Sequence, residues 1–526
     1  MSGNDVNIEA DVLVIGGGPA GTWAAYTAAS MGVKVILADK GYCGSSGATA
    51  PSGTNLWNIH SESKKREKEI ISYLERGNSL AERSWLERLI NETELGTEEL
   101  IRLGYPFATD EYGVPIRRSL QGPEYMRLMR RTIQKAGVKI LDHSPALRLL
   151  ADDAGVGGAS GVRLQTGENW TVRSKAVIIA TGGCAFLSKA LGCNVLTGDG
   201  YLLAAEVGAE LSGMEFSNEY GLSAAFSTVT KNFFFQWATF TKEDGTVIVQ
   251  KDKRSLAKHM LEGTVYAELD KATEEIQTAM RITQPNFFVP FDRSGINPFQ
   301  QRFPITLRLE GTVRGNGGIN LVNDTCATKV PGLFAAGDAA TREFVAGGTT
   351  GGGSINASWA MTSGRISGKA AALYTHSIGE FGNKRIFFEE RGRFEPSTGK
   401  SLDAIGITKA LQNEVIPFEK NLFRTEEKLQ SSMRILNELW REVHNSSPIS
   451  QDPRAIVRTR EITSMIATAR WMYTSALNRK ETRGMHKRDD YPTENKNMQY
   501  RLIANGIEDI HIRLSSNRLE EKGILL

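Results

Sequence analysis

The chain has 526 residues, 40% apolar and 23% charged, with Lys+Arg 63 against Asp+Glu 60 and a net charge of +3. That length allows two or three domains with full cores, and the composition is that of an ordinary globular protein. The near-balance of charge gives no support to a nucleic-acid partner. Four scattered cysteines (Cys43, Cys184, Cys193, Cys326) without a CxxC pair argue against an iron–sulfur cluster or a structural zinc site in this chain. No metal site is expected, and reduced thiols fit a cytoplasmic setting. The opening MSGNDVNIEA carries neither a basic n-region nor an apolar h-region, and no apolar run is long enough to span a bilayer.

The first element, DVLVIGGGPAGTWAAYTAASMGVKVILADK at 11–40, reads as strand, turn, helix, strand. Gly16 permits the tight turn, Gly18 lets backbone approach a pyrophosphate, and Gly21 lets the helix pack close to the sheet. Phosphates would then meet the helix N-terminus, where free N–H groups and the dipole favour negative charge. Asp39, 18 residues past Gly21, is placed to accept hydrogen bonds from a ribose diol, which points to FAD or NAD.

A small-residue loop follows at 41–57, and helical spacing of apolar residues runs from Glu62 to about Gly104. Another helix is predicted at Glu124–Ala136, then strands at Lys139–Leu141, Leu147–Leu150, Gly161–Gln165 and Ala176–Ala180. Thr181-Gly182-Gly183 ends the last of these. Glycine clusters again at 198–200 and 347–353, where backbone passes close to something. Helices at Leu402–Leu411, Thr425–His444 and Pro453–Leu477 predict a small C-terminal bundle.

The glycine turn, the ATGG after the 176–180 strand and PGLFAAGD from Pro331 together resemble a two-dinucleotide-domain FAD flavoprotein. TGDG (Thr197–Gly200), GMEF (Gly213–Phe216), GGI (Gly317–Ile319) and ETRGMHKRDDYP (Glu481–Pro492) narrow the resemblance. The ordered set is similar to the succinate dehydrogenase/fumarate reductase flavoproteins, with L-aspartate oxidase and the adenylylsulfate reductase flavoprotein. The resemblance implies an α/β fold: a Rossmann-like FAD-binding domain at 1–216 and 305–380, an inserted capping domain at 217–304 and a C-terminal helical domain at 381–526.

It also implies FAD as cofactor, bound by Gly16, Gly18, Pro19, Ala20, Gly21, Asp39, Lys40, Ser46, Gly47, Ala48, Thr49, Ala180, Thr181, Gly182, Asp199, Gly337, Asp338, Ser354 and Ile355. Asp338 would meet the ribityl chain, and Ser354 and Ile355 the pyrimidine end of the flavin. Where complex-II relatives attach FAD through a His, this chain reads Ser46-Gly47-Ala48, so noncovalent FAD is expected.

Dicarboxylate members need cations and proton donors at four places. One His position falls on Tyr220, and a second His and an Arg fall on Val345 and Thr349 in FVAGGTTGGGS. The capping helix offers Lys258, with Arg254 and His259 beside it, and the position before GGI falls near Val313 or Arg314. The cofactor machinery is thus retained while the carboxylate-binding set is not, which argues against succinate, fumarate or aspartate. The small-residue loop resembles that of the 3-ketosteroid dehydrogenases. Tyr220, Lys258, His259 and Arg314 are the acid/base candidates; Arg483 and His486 are expected to make structural contacts.

The expected function is an FAD-dependent oxidoreductase moving hydride between an organic small-molecule substrate and flavin N5. One alternative is the flavin subunit of an electron-transfer complex with a separate iron–sulfur or ferredoxin-like partner. Another is a non-catalytic flavin-binding module. Either arrangement leaves an oligomer open.

Overall fold

The computed structural model describes residues 6–60, 64–109, 112–250, 252–379, 402–446 and 452–515. The apolar run at 12–15 ends a strand, Val6–Ile15, that is covered on both faces. Val12 and Val14 pack into one core and Leu13 and Ile15 into another. Two-sided burial of this kind is what a parallel sheet under helices requires.

Val6–Ile15 pairs in parallel with Val35–Ala38 and with Asn169–Ile179, and Val35–Ala38 pairs in parallel with Lys139–Leu141. The Asn169–Ile179 strand serves two further neighbours. Its first half runs antiparallel to Gly155–Val162, which pairs on to Ala146–Asp152, and its last residues run parallel to Leu333–Ala335. A seven-stranded sheet results. The carboxyl ends of its parallel strands open on one edge, where sheets of this type bind ligands.

The helix after the first strand, Pro19–Ser30, starts with proline in its first turn, a position that costs no hydrogen bond. The long helix Gly352–Ser377 lies against it. A Cβ on Gly364 would stand 2.4 Å from the Ala20 carbonyl oxygen, and one on Gly368 2.4 Å from that of Ala24. This close contact fixes the start of the long helix relative to the glycine turn.

The helical stretch expected over 62–104 is two helices, Lys65–Arg76 and Arg83–Arg102. Between them Asn78 and Ser79 have φ of 53° and 65°, which ends the helix. The strand expected at Gly161–Gln165 lies earlier, at Gly155–Val162. Its glycines hide it from propensity, yet a Cβ at Gly158 would lie 2.1 Å from the Val172 carbonyl oxygen.

A second sheet, antiparallel, has the order Glu219–Ala224, Phe303–Gly311, Tyr266–Glu268, Thr239–Thr241. Edge-to-face phenylalanines (Phe234, Phe235, Phe287, Phe291, Phe303) fill the core beside it. The boundary expected at 304–305 falls inside the strand Phe303–Gly311.

Helices Ala404–Val415, Glu426–His444 and Pro453–Asn478 form the C-terminal bundle. Strands at Leu502–Asn505 and His511–Leu514 follow it, and the first pairs with Leu211–Ser212. The boundary expected near 380 lies outside the described residues. Among the described residues no helix is long and apolar enough to cross a membrane, and the four cysteines are buried free thiols.

Candidate active site

A cleft lies on the carboxyl edge of the first sheet, where open α/β sheets bind their ligands. The strand ends supply its walls. Gly16, Gly18, Pro19 and Ala20 follow the first strand, Asp39 and Lys40 the second, Ala180, Thr181 and Gly182 the third, and Gly337 and Asp338 the fourth. Ser46, Gly47, Ala48, Thr49 and Asp199 complete the expected set that lines it.

The glycine turn is built for close approach. Gly16 has φ of 108°, and a Cβ there would sit 2.3 Å from the Ala180 carbonyl oxygen. Gly21 does not line the cleft; its Cβ would meet the Gly16 carbonyl oxygen at 1.8 Å, so it serves helix packing. A Cβ on Gly18, in contrast, would meet no protein atom within 4 Å. That side of Gly18 faces open cleft, where a side chain would obstruct only a ligand.

Asp39 is held in place by three donors: the Gly17 N–H at 2.6 Å, the Gly41 N–H at 2.7 Å and the Ser46 hydroxyl at 2.8 Å. Lys40 donates to Thr197 Oγ1, Asp199 Oδ2 and Glu461 Oε1 at 2.8, 2.7 and 2.9 Å. Despite desolvation, these carboxylates raise its pKa. Among the described residues, the Thr181 hydroxyl and both polar atoms of the Asn356 side chain are buried on the cleft and find no hydrogen-bond partner. Buried polar atoms of this kind need partners, and a dinucleotide with hydroxyls and a polar ring edge supplies them. The residues present fit FAD.

Ser354 and Ile355 lie in the first turn of Gly352–Ser377, and their side chains do not line the cleft. Gly353 and Asn356 do. Asn356 was missed by sequence reasoning, although it directly follows Ile355 in the motif.

Of the acid/base candidates, only Arg314 reaches the cleft. Its Nε stands 3.7 Å from Glu310 Oε1, and among the described residues its guanidinium makes no hydrogen bond. The Glu310 carboxylate raises its pKa further. The turn that carries it is firmly tied. Arg342, 1% exposed, donates through Nη2 to the carbonyls of Thr312 (2.9 Å) and Val313 (3.1 Å) and pairs with Asp338 through Nη1. Thr350 Oγ1 donates to the Arg314 carbonyl at 2.9 Å. Arg342 was also missed; its role lies in contacts that spacing does not reveal.

Tyr220 is not brought to the cleft. Its hydroxyl donates to the Ile416 carbonyl at 2.9 Å in the C-terminal region, and burial pushes its pKa well above the phenol value. In the pairing with Phe303–Gly311 the partner passes from Gly311 at Glu219 to Leu309 at Tyr220, so the unpaired residue is Glu310, and Glu219 and Tyr220, as neighbours in a strand, face opposite sides. Glu219 is the one turned toward the Glu310 and Arg314 charges, and it pairs with Lys253. Lys258 and His259 also lie away from the cleft. Both are on the helix Lys253–Glu262, with Lys258 exposed and His259 Nδ1 3.5 Å from Glu262 Oε2.

Arg483 and His486 are buried in a network behind the glycine-rich loop. Arg483 and Arg479 share Glu481, Arg479 reaches Glu215 at 2.7 Å, and His486 Nδ1 lies 2.9 Å from Arg424 Nη1. Burial and the neighbouring arginines push the His486 pKa well down, so it is a neutral partner. Met485 N–H donates to the Gly348 carbonyl at 2.7 Å, joining this network to the loop.

Residues 11–220 match the FAD binding domain family, and residues 410–520 match the fumarate reductase flavoprotein C-terminal family. The chain is 25% identical to a FAD-dependent oxidoreductase of Methanocaldococcus jannaschii, over 95% of this chain and 97% of that one. It is 24% identical to the 8-methylmenaquinol:fumarate reductase flavoprotein subunit of Wolinella succinogenes, over 91% and 86%. In fold it is similar to an E. coli quinol fumarate reductase chain (TM-score 0.82, 19% identity, 97% and 96% covered). It is also similar to adenylylsulfate reductase of Archaeoglobus fulgidus (TM-score 0.77, 18% identity, 97% and 96% covered). Sheet, cleft and matches define an FAD-dependent oxidoreductase. The chain belongs to the succinate dehydrogenase/fumarate reductase flavoprotein family.

Proposed function

We propose that this protein is a dehydrogenase or reductase that moves hydride between flavin N5 and an organic substrate other than succinate, fumarate or aspartate. FAD, when bound, supplies the two-electron hydride chemistry. The chain's own residues bind the phosphates at the glycine turn, hold the ribose at Asp39 and present Arg314 to the substrate. Gly352–Ser377 aims its N-terminal turn at the cleft, which favours negative charge there.

The reading is carried by an Arg314 guanidinium that, beyond its 3.7 Å approach to Glu310, makes no hydrogen bond among the described residues, together with an uncharged 345–350 loop. Val345 is fully buried among apolar residues, and Thr349 Oγ1 is spent on the Ala346 carbonyl at 3.1 Å. One anchoring cation suits a substrate with one polar group to hold rather than two carboxylates. Ser46, Gly47 and Ala48 line the cleft without an imidazole, which supports noncovalent FAD; acid precipitation should leave the flavin in the supernatant.

The test is anaerobic. Protein reduced with dithionite is mixed with fumarate and the oxidised flavin band is followed. The band should stay bleached; rapid recovery would sink the exclusion of dicarboxylates. The Wolinella succinogenes relative, a flavoprotein subunit, favours a second reading, in which an iron–sulfur or ferredoxin-like partner exchanges electrons with this chain. Iron co-purifying with a second polypeptide would support it.

A further inference from the structure

One ionisable group at the Arg314 wall belongs to none of the sets considered so far. Lys231 follows Thr230, whose hydroxyl donates to Glu310 Oε1 at 2.7 Å. Its own Nζ donates to the Gly53 carbonyl at 3.1 Å. Gly53 and Thr54 line the cleft beside Gly353 and Arg314, and Thr54 Oγ1 reaches the Gly353 carbonyl at 3.4 Å. Lys231, in the loop after Glu219–Ala224, thus reaches the strand Gly53–Asn55 that walls the cleft, without being itself among the residues that line it. Among the described residues no carboxylate lies within ion-pair distance of its Nζ, and the Gly53 bond uses one of its three donors.

We propose that Lys231 is the proton-exchanging group of this site, acting on a substrate whose reacting C–C bond is conjugated with a carbonyl oxygen held by Arg314. The proposal rests on the hydride-transfer reading of the cleft. In the oxidising direction the Lys231 amine takes the proton from the carbon next to the carbonyl, and hydride leaves the adjacent carbon for oxidised FAD. A C=C bond forms, Lys231 becomes an ammonium, and two electrons pass to the cofactor. The reducing direction reverses each transfer. Arg314 stabilises the charge that develops on the carbonyl oxygen, the role of a fixed donor in such sites.

The surroundings prepare Lys231 for this work. Burial first, and then the Arg314 charge, push its pKa down to about 8, against the opposite pull of Glu310. Glu219, the other nearby carboxylate, is engaged by Lys253 and Asn232. Both protonation states of Lys231 are therefore accessible near neutral pH, as acid–base catalysis requires.

The test is competitive acetylation with acetic anhydride of the folded, FAD-loaded protein across a pH series, read by peptide mass spectrometry. Lys231 should reach half-reaction near pH 8, well below the range of an ordinary exposed lysine. Arg314→Gln should raise the Lys231 midpoint and Glu310→Gln should lower it, with Lys258 unmoved. Titration of Lys231 together with the surface lysines would overturn the proposal. So would failure to label Lys231 until the protein is denatured. The flavin band is scored first: its absence from folded protein overturns the underlying reading, whereas an ordinary Lys231 in yellow protein overturns only the lysine's role.

Discussion

Arg314 Nε stands 3.7 Å from Glu310 Oε1, close enough for attraction and too far for a hydrogen bond. The guanidinium keeps its donors for the cleft, so its loss should be felt in turnover rather than in folding. Arg314→Gln is expected to lower substrate-dependent reoxidation of the reduced protein by about 10²–10³-fold. Arg314→Lys should recover little, because an ammonium lacks the planar fork. Stopped-flow traces of the flavin band, with thermal melts as control, check both.

Gly16 and Gly18 should respond differently to substitution. Gly16→Ala places a methyl 2.3 Å from the Ala180 carbonyl oxygen at φ of 108°, so the melting temperature itself should fall. Gly18→Val meets no protein atom within 4 Å of its Cβ, so the fold should persist while FAD is lost. Flavin-to-protein absorbance ratios beside melting curves separate the two.

Lys231→Met should cut the rate about 10²-fold or more while leaving flavin bound. In the wild type, oxidation needs the amine, so its rate should rise as pH climbs through about 8. Reduction needs the ammonium and should fall over the same range. A pH-rate profile that does not change in the Met variant would count against the lysine.

Glu343 gives a pH effect on stability. Burial, and then repulsion from Glu215, raise its pKa well above the usual 4.5. Its folded form holds a proton that the unfolded chain releases, so this stabilising contribution is present below pH 4.5 and is lost as pH rises through the folded value. Glu343→Gln should therefore gain about 2–4 °C over the wild type in mildly alkaline buffer. It should gain nothing in acid. Differential scanning fluorimetry across pH gives the comparison.

The glycine turn and Asp39 were legible because backbone constraints tie residue type to local geometry there, whereas the Ala180–Gly182 strand end and Asp338 were reached through the resemblance; all but Gly21 line the cleft. The helix Pro453–Asn478 was legible for its period. Lys231 and Arg342 were not, since each takes its role from a contact far along the chain: Lys231 bonds a residue 178 positions away and Arg342 one 30 positions away. Tyr220 was misplaced for a different reason. Counting from the MEF motif gives a position and not a face, and in the strand Tyr220 alternates with Glu219, whose side chain is the one that feels the Glu310 and Arg314 charges.

The glycine-rich loop beside the Arg314 turn is fastened by its main-chain atoms. Met485 N–H holds the Gly348 carbonyl, and Asn316 Nδ2 holds those of Gly347 and Thr349 at 2.7 Å each. Gly484, at φ of 52°, packs so closely that a Cβ would lie 1.9 Å from the Gly348 oxygen. A frame fixed in this way does not depend on which side chains it displays. Thr349, whose hydroxyl bonds only within the loop, is an exchangeable tip on a permanent mount, and a lineage could replace it by single substitutions without rebuilding the flavin seat.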